Sequence, residues 1–191
     1  MPVLVAPLMS AGCLAGSAQP SLPVAGGLLL RPWLAKDAAA VVKVFQDPAI
    51  QQWHHRRADS EEEAQEWIEK WQRGWQDETG ANWAVVDDDS DTVLGRVSLS
   101  SVILMGGQAE ISYWTAPSAR GSGVCSRAVT AVTDWALGEA GFHRLELGHS
   151  AANPASCRVA VKAGFTQEGV RRKAMLHADG WHDMHLHARV R

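Results

Sequence analysis

The spacing of hydrophobic positions changes several times along the chain, and each change marks an element. Residues 109–113 alternate apolar and polar side chains, the period of a strand with one buried face. Just after them, Val124, Ala128, Ala131, Val132 and Trp135 recur at helical spacing, so residues 120–123 fall in a strand-to-helix turn. Upstream, residues 28–33 read as a first strand stopped by Pro32, which has no N–H to give a ladder. Residues 38–45 form a short helix behind Asp37 that ends near Asp47-Pro48. Ser60 and Glu63 make a capping box ahead of Ala64, Trp67, Ile68, Trp71 and Trp75, which keep one helical face. Residues 82–86 and 93–101 pair as strands around the acidic stretch 87–91, a solvated hairpin tip whose alternative reading is a site for a cation or a basic acceptor. Gly106-Gly107 turns the chain into the strand that ends at Trp114, and residues 142–150 supply another. Asn153 and Pro154 suit an N-cap and a first helical position, with Gly164 as the stop. Residues 165–177 and 181–189 close the chain as a hairpin turned by Asp179-Gly180. This order predicts an α/β domain built on one mixed, twisted sheet of about seven strands with about four helices.

At 191 residues and 46% hydrophobic, the chain can bury one sizeable core, expected over residues 28–191. Residues 1–27 carry no charged side chain; they lack the basic start of a secretory signal and the length of a membrane span. They read as an extension of unknown role, with a leader as the lesser alternative and packing on a neighbouring subunit of a homodimer as one option. A net charge of -3 and a pI near 6.2 provide no basic footprint for nucleic acid, and no membrane partner is expected. Three cysteines cannot all pair within the chain, and reduced thiols in a cytoplasm are the simplest reading. On an alternating strand His185 and His187 share one face, opposite Met184 and Leu186, which is ordinary amphipathic patterning, so no metal site is expected at the His182, His185 and His187 cluster.

The chemistry concentrates at the turn before the 124–137 helix. Glycines there permit backbone angles closed to other residues, and the first amides of the helix lack partners and sit at the positive end of its dipole. The expected occupant is a phosphate.

Arg120, Gly123 and Cys125 stand as R-x-x-G-x-C, and A-A-N-P-A-S-C-R-V-A-V-K-A-G-F follows downstream. In these motifs the chain resembles the GNAT N-acyltransferases, specifically the RimJ/RimL-type branch that acetylates ribosomal-protein N-termini. The family loop reads Q/R-x-x-G-x-G/A, from which Cys125 departs. The resemblance implies acetyl-CoA as co-substrate and a sheet whose fourth and fifth strands splay apart after a bulge near residues 110–112. It places pantetheine against the backbone of Ile111, Tyr113, Trp114 and Thr115, and pyrophosphate against Arg120, Gly121, Ser122, Gly123, Val124 and Cys125. It implies further that Asn153 bonds pantetheine and that Ser156 protonates the departing thiolate, because the chain's sole tyrosine, Tyr113, lies on another strand from the helix where many members carry one. Helix capping is the competing reading of Asn153 and Ser156. Glu110, beside the implied acyl site, is the candidate base, or else an exposed strand residue or ion-pair partner. Core packing is the first reading of the tryptophan stripe, while the resemblance implies that Trp53, Trp71 or Trp75 lines the acceptor pocket.

The activity implied is direct attack of a primary amine on the thioester. An α-amine, with a pKa of about 7.7 to 8.0 against about 10.4 for lysine, needs only mild help, so a protein N-terminus is the expected acceptor. The alternatives are a small-molecule amine, such as an antibiotic or polyamine, and a module that binds acyl-CoA without turnover.

Overall fold

The computed structural model describes residues 4–191; residues 1–3, the start of the extension, lie outside the described residues. Eight strands form one sheet: β1 (Leu22–Val24), β2 (Leu28–Pro32), β3 (Ala81–Asp87), β4 (Val93–Ile103), β5 (Gln108–Thr115), β6 (Arg144–Ser150), β7 (Thr166–His177) and β8 (Gly180–Val190). The helices are α1 (Ala38–Phe45), α2 (Pro48–Gln51), α3 (Glu61–Gln76), α4 (Val124–Leu137) and α5 (Pro154–Lys162). The spatial order β1-β2-β3-β4-β5-β6-β8-β7 is antiparallel except where β5 meets β6, the two strands joined through α4. The expected mixed sheet is present, with one more strand and one more helix than the periodicity announces. The extra helix, α2, begins where α1 was expected to end: Asp47 caps it by accepting the Ala49 N–H at 3.0 Å, and Pro48 occupies its first turn.

The two faces of the sheet are covered by different helices. On one, α4 and α5 bury Ile111, Val129, Val132, Phe142, Leu145 and Leu147; on the other, α1 and α3 bury Trp33, Val41, Phe45, Ile68 and Trp114. Ser60 caps α3 through the Glu63 N–H at 3.2 Å, whereas the Glu63 carboxylate reaches past Ser60 to the Asp59 N–H at 2.8 Å.

The extension packs against its own chain. Met9 and Leu14 are buried in the α4-side core, and Leu8 and Met9 donate to the Met105 and Leu104 carbonyls at 3.0 and 3.1 Å. The Glu78 carboxylate gathers the N–H groups of Gly12 and Leu14 at 2.7 and 2.8 Å, and the indoles of Trp75 and Trp83 each donate at 2.8 Å to the carbonyls of Ser17 and Pro20. Tryptophans buried at this end thus find their N–H acceptors in a segment that brings no ionisable carboxylate or amine of its own.

At the acidic tip, the Asp87 carboxylate accepts from the Ser90 N–H and hydroxyl, and Asp91 pairs with Arg31 and Lys36. These carboxylates serve the turn and the β2 ion pairs.

Candidate active site

The β5/β6 pairing is short. Gln108, Ala109 and Glu110 face Arg144, Leu145 and Glu146, and there the ladder ends. Beyond Glu110, β5 stays paired to β4 as far as Thr115, while β6 runs to Ser150 beside β8. The β5 backbone groups that face β6 past this point have no strand partner, so a ligand with amide groups can complete the ladder. The irregularity expected in β5 lies instead in β4: between Ser100 and Ile103 it carries one more residue than β5, with Ser101 at a φ of 52°. An extra residue in β4 twists the shared ladder locally and leaves β5 regular along the edge that opens.

A cavity of about 900 Å³ fills the divergence and is lined from both faces of the sheet. On the α4/α5 side, Gly123 starts α4 at a φ of 77° with no side-chain cap, and Gly121 has a φ of 80°. The first amides of α4 therefore point at the cavity without a capping oxygen, the arrangement that accepts a phosphate. Ser122 does not line the cavity; its hydroxyl donates to the Ala119 carbonyl at 2.8 Å, which closes the turn. The Arg120 guanidinium is paired with Asp47, tying the α4 turn to the cap of α2. Arg158 and Lys162 line the cavity, whereas Arg127 lies outside it and donates to the Ser122 carbonyl at 3.1 Å.

Across the gap, Asn153 Oδ1 accepts the Ser156 N–H at 3.1 Å, so Asn153 is a helix cap whatever else it does. The Tyr113 side chain, expected only to lend backbone, spans from β5 to α5 and donates its hydroxyl to the Ser156 carbonyl at 3.2 Å. Burial raises its pKa well above the ordinary phenol value, so it remains a donor. The sequence signal for this was present, since Tyr113 falls on the same side of the alternating strand as Ile111 and Ala109. Burial also pushes the Cys125 thiol up to about 11, only partly offset by a hydrogen bond from Thr115. Cys125 is a packing group of this turn and a poor nucleophile.

On the α1/α3 side, Glu110 reaches over Gly148, its Oε1 3.7 Å from where a Cβ at that glycine would stand. Desolvation by the cavity walls raises the Glu110 pKa above the carboxylate norm, the neighbouring Glu146 raises it further, and Arg171 opposes both. Burial, with Arg96, His55 and His177 adding like charge, pushes His54 down to about 4. Arg96, which sequence reasoning missed, also lines this side; burial pushes it down to about 10, so it stays charged. Its partners are Asn82 Oδ1 and the face of Trp71 at 4.6 Å, and among the described residues it has no carboxylate partner.

Of the three tryptophans proposed for the acceptor pocket, Trp53 lines the cavity and the other two do not. Trp71 packs on Trp33 at 5.0 Å behind Arg96, and Trp75 is buried against Trp135 in the α4-side core. Residues four apart advance about 400° around a helix and about 6 Å along it. A four-residue stripe therefore turns away from any one target over the length of α3, and its last member reaches the opposite core.

A family model described as an acetyltransferase (GNAT) domain matches residues 27–166. The chain belongs to the GNAT acetyltransferase family. Among curated relatives, YoaA of Bacillus subtilis (strain 168), named an uncharacterized N-acetyltransferase, is 24% identical over 86% of this chain and 93% of its own length. The ribosomal-protein-serine acetyltransferase of Escherichia coli (strain K12) is 30% identical over 52% of this chain and 56% of its own. YjcK of Bacillus subtilis (strain 168), a probable N-acetyltransferase by name, is 35% identical over 53% of this chain, so the match spans little more than half of its length, 57%. Among solved structures, RimL, a ribosomal L7/L12 α-N-protein acetyltransferase in complex with coenzyme A, superposes with a TM-score of 0.83 at 22% identity, covering 90% of this chain and 98% of that one. RimJ of Mycobacterium smegmatis, in complex with CoA-disulfide, gives 0.80 at 21% identity over 90% of this chain and 86% of that one. The GNAT family and fold read from the motifs are thereby shown, and ribosomal-protein acetyltransferases are among the proteins to which the chain is similar.

Proposed function

We propose that this protein transfers the acetyl group of acetyl-CoA directly to a primary amine, in the cytoplasm, with a protein N-terminal α-amine as acceptor. The observation that carries the reading is the cavity through the β5/β6 divergence, where an unpartnered strand edge, an uncapped glycine turn and the Glu110 carboxylate converge. The residues fit the co-substrate. The first amides of α4 and the turn at residues 120–125 would hold pyrophosphate, and the backbone of Ile111, Tyr113, Trp114 and Thr115 would pair with pantetheine. An N–H near Tyr113 would stabilise the oxyanion.

Glu110 takes the ammonium proton, directly or through one water, leaving the neutral amine to attack. Glu146 beside it favours a cationic group at that place before deprotonation, while Arg96 offers the acceptor's backbone carbonyls a donor. Trp53 supplies an apolar wall. This pairing of carboxylates with a buried arginine suits a peptide N-terminus, and the relatives named for ribosomal proteins point the same way.

The test is thiol release from acetyl-CoA across peptides of varied N-terminus, polyamines and aminoglycosides, with mass spectrometry of the products. Acetylated peptide α-amines are expected. Acetylation confined to small amines would overturn the acceptor, and acetyl-CoA binding without thiol release from any acceptor would make the chain a binding module.

Ser156 gives its hydroxyl proton to the departing thiolate. Ser156→Ala is accordingly expected to lower kcat about a hundredfold with little change in KM for acetyl-CoA. Tyr113→Phe should cost much less, since its hydroxyl is committed to the Ser156 carbonyl. The opposite ranking in a steady-state comparison would move the proton to Tyr113.

A further inference from the structure

His149, Cys157, His185 and His187 bring three imidazoles and a thiol together, with one ligand atom from each lying within 4.8 Å of all the others. Three elements supply them. His149 on β6 is the cross-strand partner of His185 on β8, and His187 follows two residues on, opposite Leu147, so the rings stand on the face that α5 covers. Cys157 comes to them from the first turns of α5.

The hydrogen bonds orient the set. His149 Nδ1 lies 2.8 Å from the Ser150 carbonyl oxygen, which can only accept, so the ring proton is on Nδ1 and Nε2 presents a lone pair. A second ring nitrogen held to a backbone carbonyl is the usual way a metal-binding histidine is aimed. That lone pair lies 3.1 Å from His187 Nε2. Two nitrogens bound at about 2.0–2.1 Å to one tetrahedral zinc are about 3.3 Å apart, close to this separation. His187 is almost fully buried, and the Nδ1 atoms of His185 and His187 have no partner among the described residues. The unpartnered Nδ1 of His185 leaves that nitrogen free to serve as a ligand atom, while the Nε2 atoms of His149 and His187 already meet in a hydrogen bond that a metal between them would replace.

We infer that His149, Cys157, His185 and His187 bind one zinc ion as a closed, four-coordinate site of one thiolate and three imidazoles. Thiolate with imidazole is the donor set that zinc prefers, and its lack of geometric demand tolerates ligands from three elements. On binding, the Cys157 thiol releases its proton to solvent and a zinc–sulfur bond forms. All four positions come from the protein, so the ion fastens α5 to β6 and β8 and activates no water. Asn153 and Ser156 sit at the end of α5 that it fastens, which gives the metal a means to stiffen one wall of the cavity. The site stands on its own donors and does not depend on acetyl transfer.

The full chain, stripped with chelator, is titrated with cobalt(II) as an optical probe for zinc. One equivalent should produce the intense visible bands of tetrahedral cobalt and a thiolate-to-cobalt band in the near ultraviolet, both abolished by zinc. Cys157→Ser should lose the ultraviolet band, and His187→Gln should weaken binding at least about tenfold, the loss seen even for groups that only orient a ligand. The exposed His143→Gln should behave as wild type. Thermal unfolding of each variant without metal separates misfolding from ligand loss, and one equivalent of zinc should raise the wild-type midpoint and not that of Cys157→Ser. Weak octahedral cobalt absorption with no ultraviolet band in the wild type, or unchanged spectra in a folded Cys157→Ser, would overturn the site and leave a packed cluster of neutral histidines.

Discussion

Glu110→Gln is expected to lower kcat about 10³-fold at neutral pH, with KM for acetyl-CoA nearly unchanged. The side chain keeps its length and loses only the capacity to accept a proton. The pH dependence carries the sharper signature. Desolvation and Glu146 raise the pKa of Glu110, so the ionised base is lost as pH falls through a value above the ordinary carboxylate range. The wild-type kcat/KM profile should therefore show an acid limb displaced upward, and that limb should vanish in the Gln variant. Stability provides the control. A carboxylate whose folded pKa is raised binds its proton more tightly in the fold, so its ionisation costs stability above that pKa. Glu110→Gln removes the cost, and its melting temperature at neutral pH should equal or exceed that of the wild type. A variant that keeps full kcat would make Glu110 an ordinary rim residue.

Gly123→Val is expected to weaken acetyl-CoA binding about a hundredfold, or ~2.7 kcal/mol. At a φ of 77°, a β-branched side chain is held in the left-handed region, a strain of about 1–3 kcal/mol. Its Cβ would also stand 3.2 Å from Arg127 Nη1, so the turn must open or Arg127 must leave the Ser122 carbonyl. Either movement redirects the first amides of α4. Gly121→Ala makes a graded comparison. A Cβ there meets nothing within 4 Å, so only backbone strain remains and the loss should be smaller. Calorimetric titration ranks the two, and a Gly123→Val protein that binds as tightly as wild type would remove the phosphate cradle from the account.

Much of this arrangement was legible because it is local. The period of residues 109–113 and of the 124–137 helix located the strand, the turn and the uncapped helix start, and Asn153-Pro154 located α5. Tyr113 illustrates the limit. Its side of the strand could be read, but not that its hydroxyl meets the Ser156 carbonyl, because that contact depends on how far β5 and β6 diverge. The tryptophan stripe of α3 illustrates another. Its helical face was clear in sequence, yet Trp71 backs Arg96 while Trp75 enters the other core, since the drift of a four-residue spacing takes effect only against fixed neighbours.

The sequence by itself determined most of the elements, the family motifs and the uncapped glycine turn before α4, because propensities, caps and glycine angles act over a few residues. Only the tertiary structure decided that the extension, from Leu8 onward, packs back on its own chain and buries Met9 and Leu14 in the core. It also decided that the irregularity lies in β4, that Arg96 lines the cavity on the α1/α3 side, and that His149 and Cys157 join His185 and His187. Apart from the β4 irregularity, which is a matter of hairpin register, these features join residues far apart in the chain, and their distances follow from strand register and helix docking, which burial of the whole core selects at once.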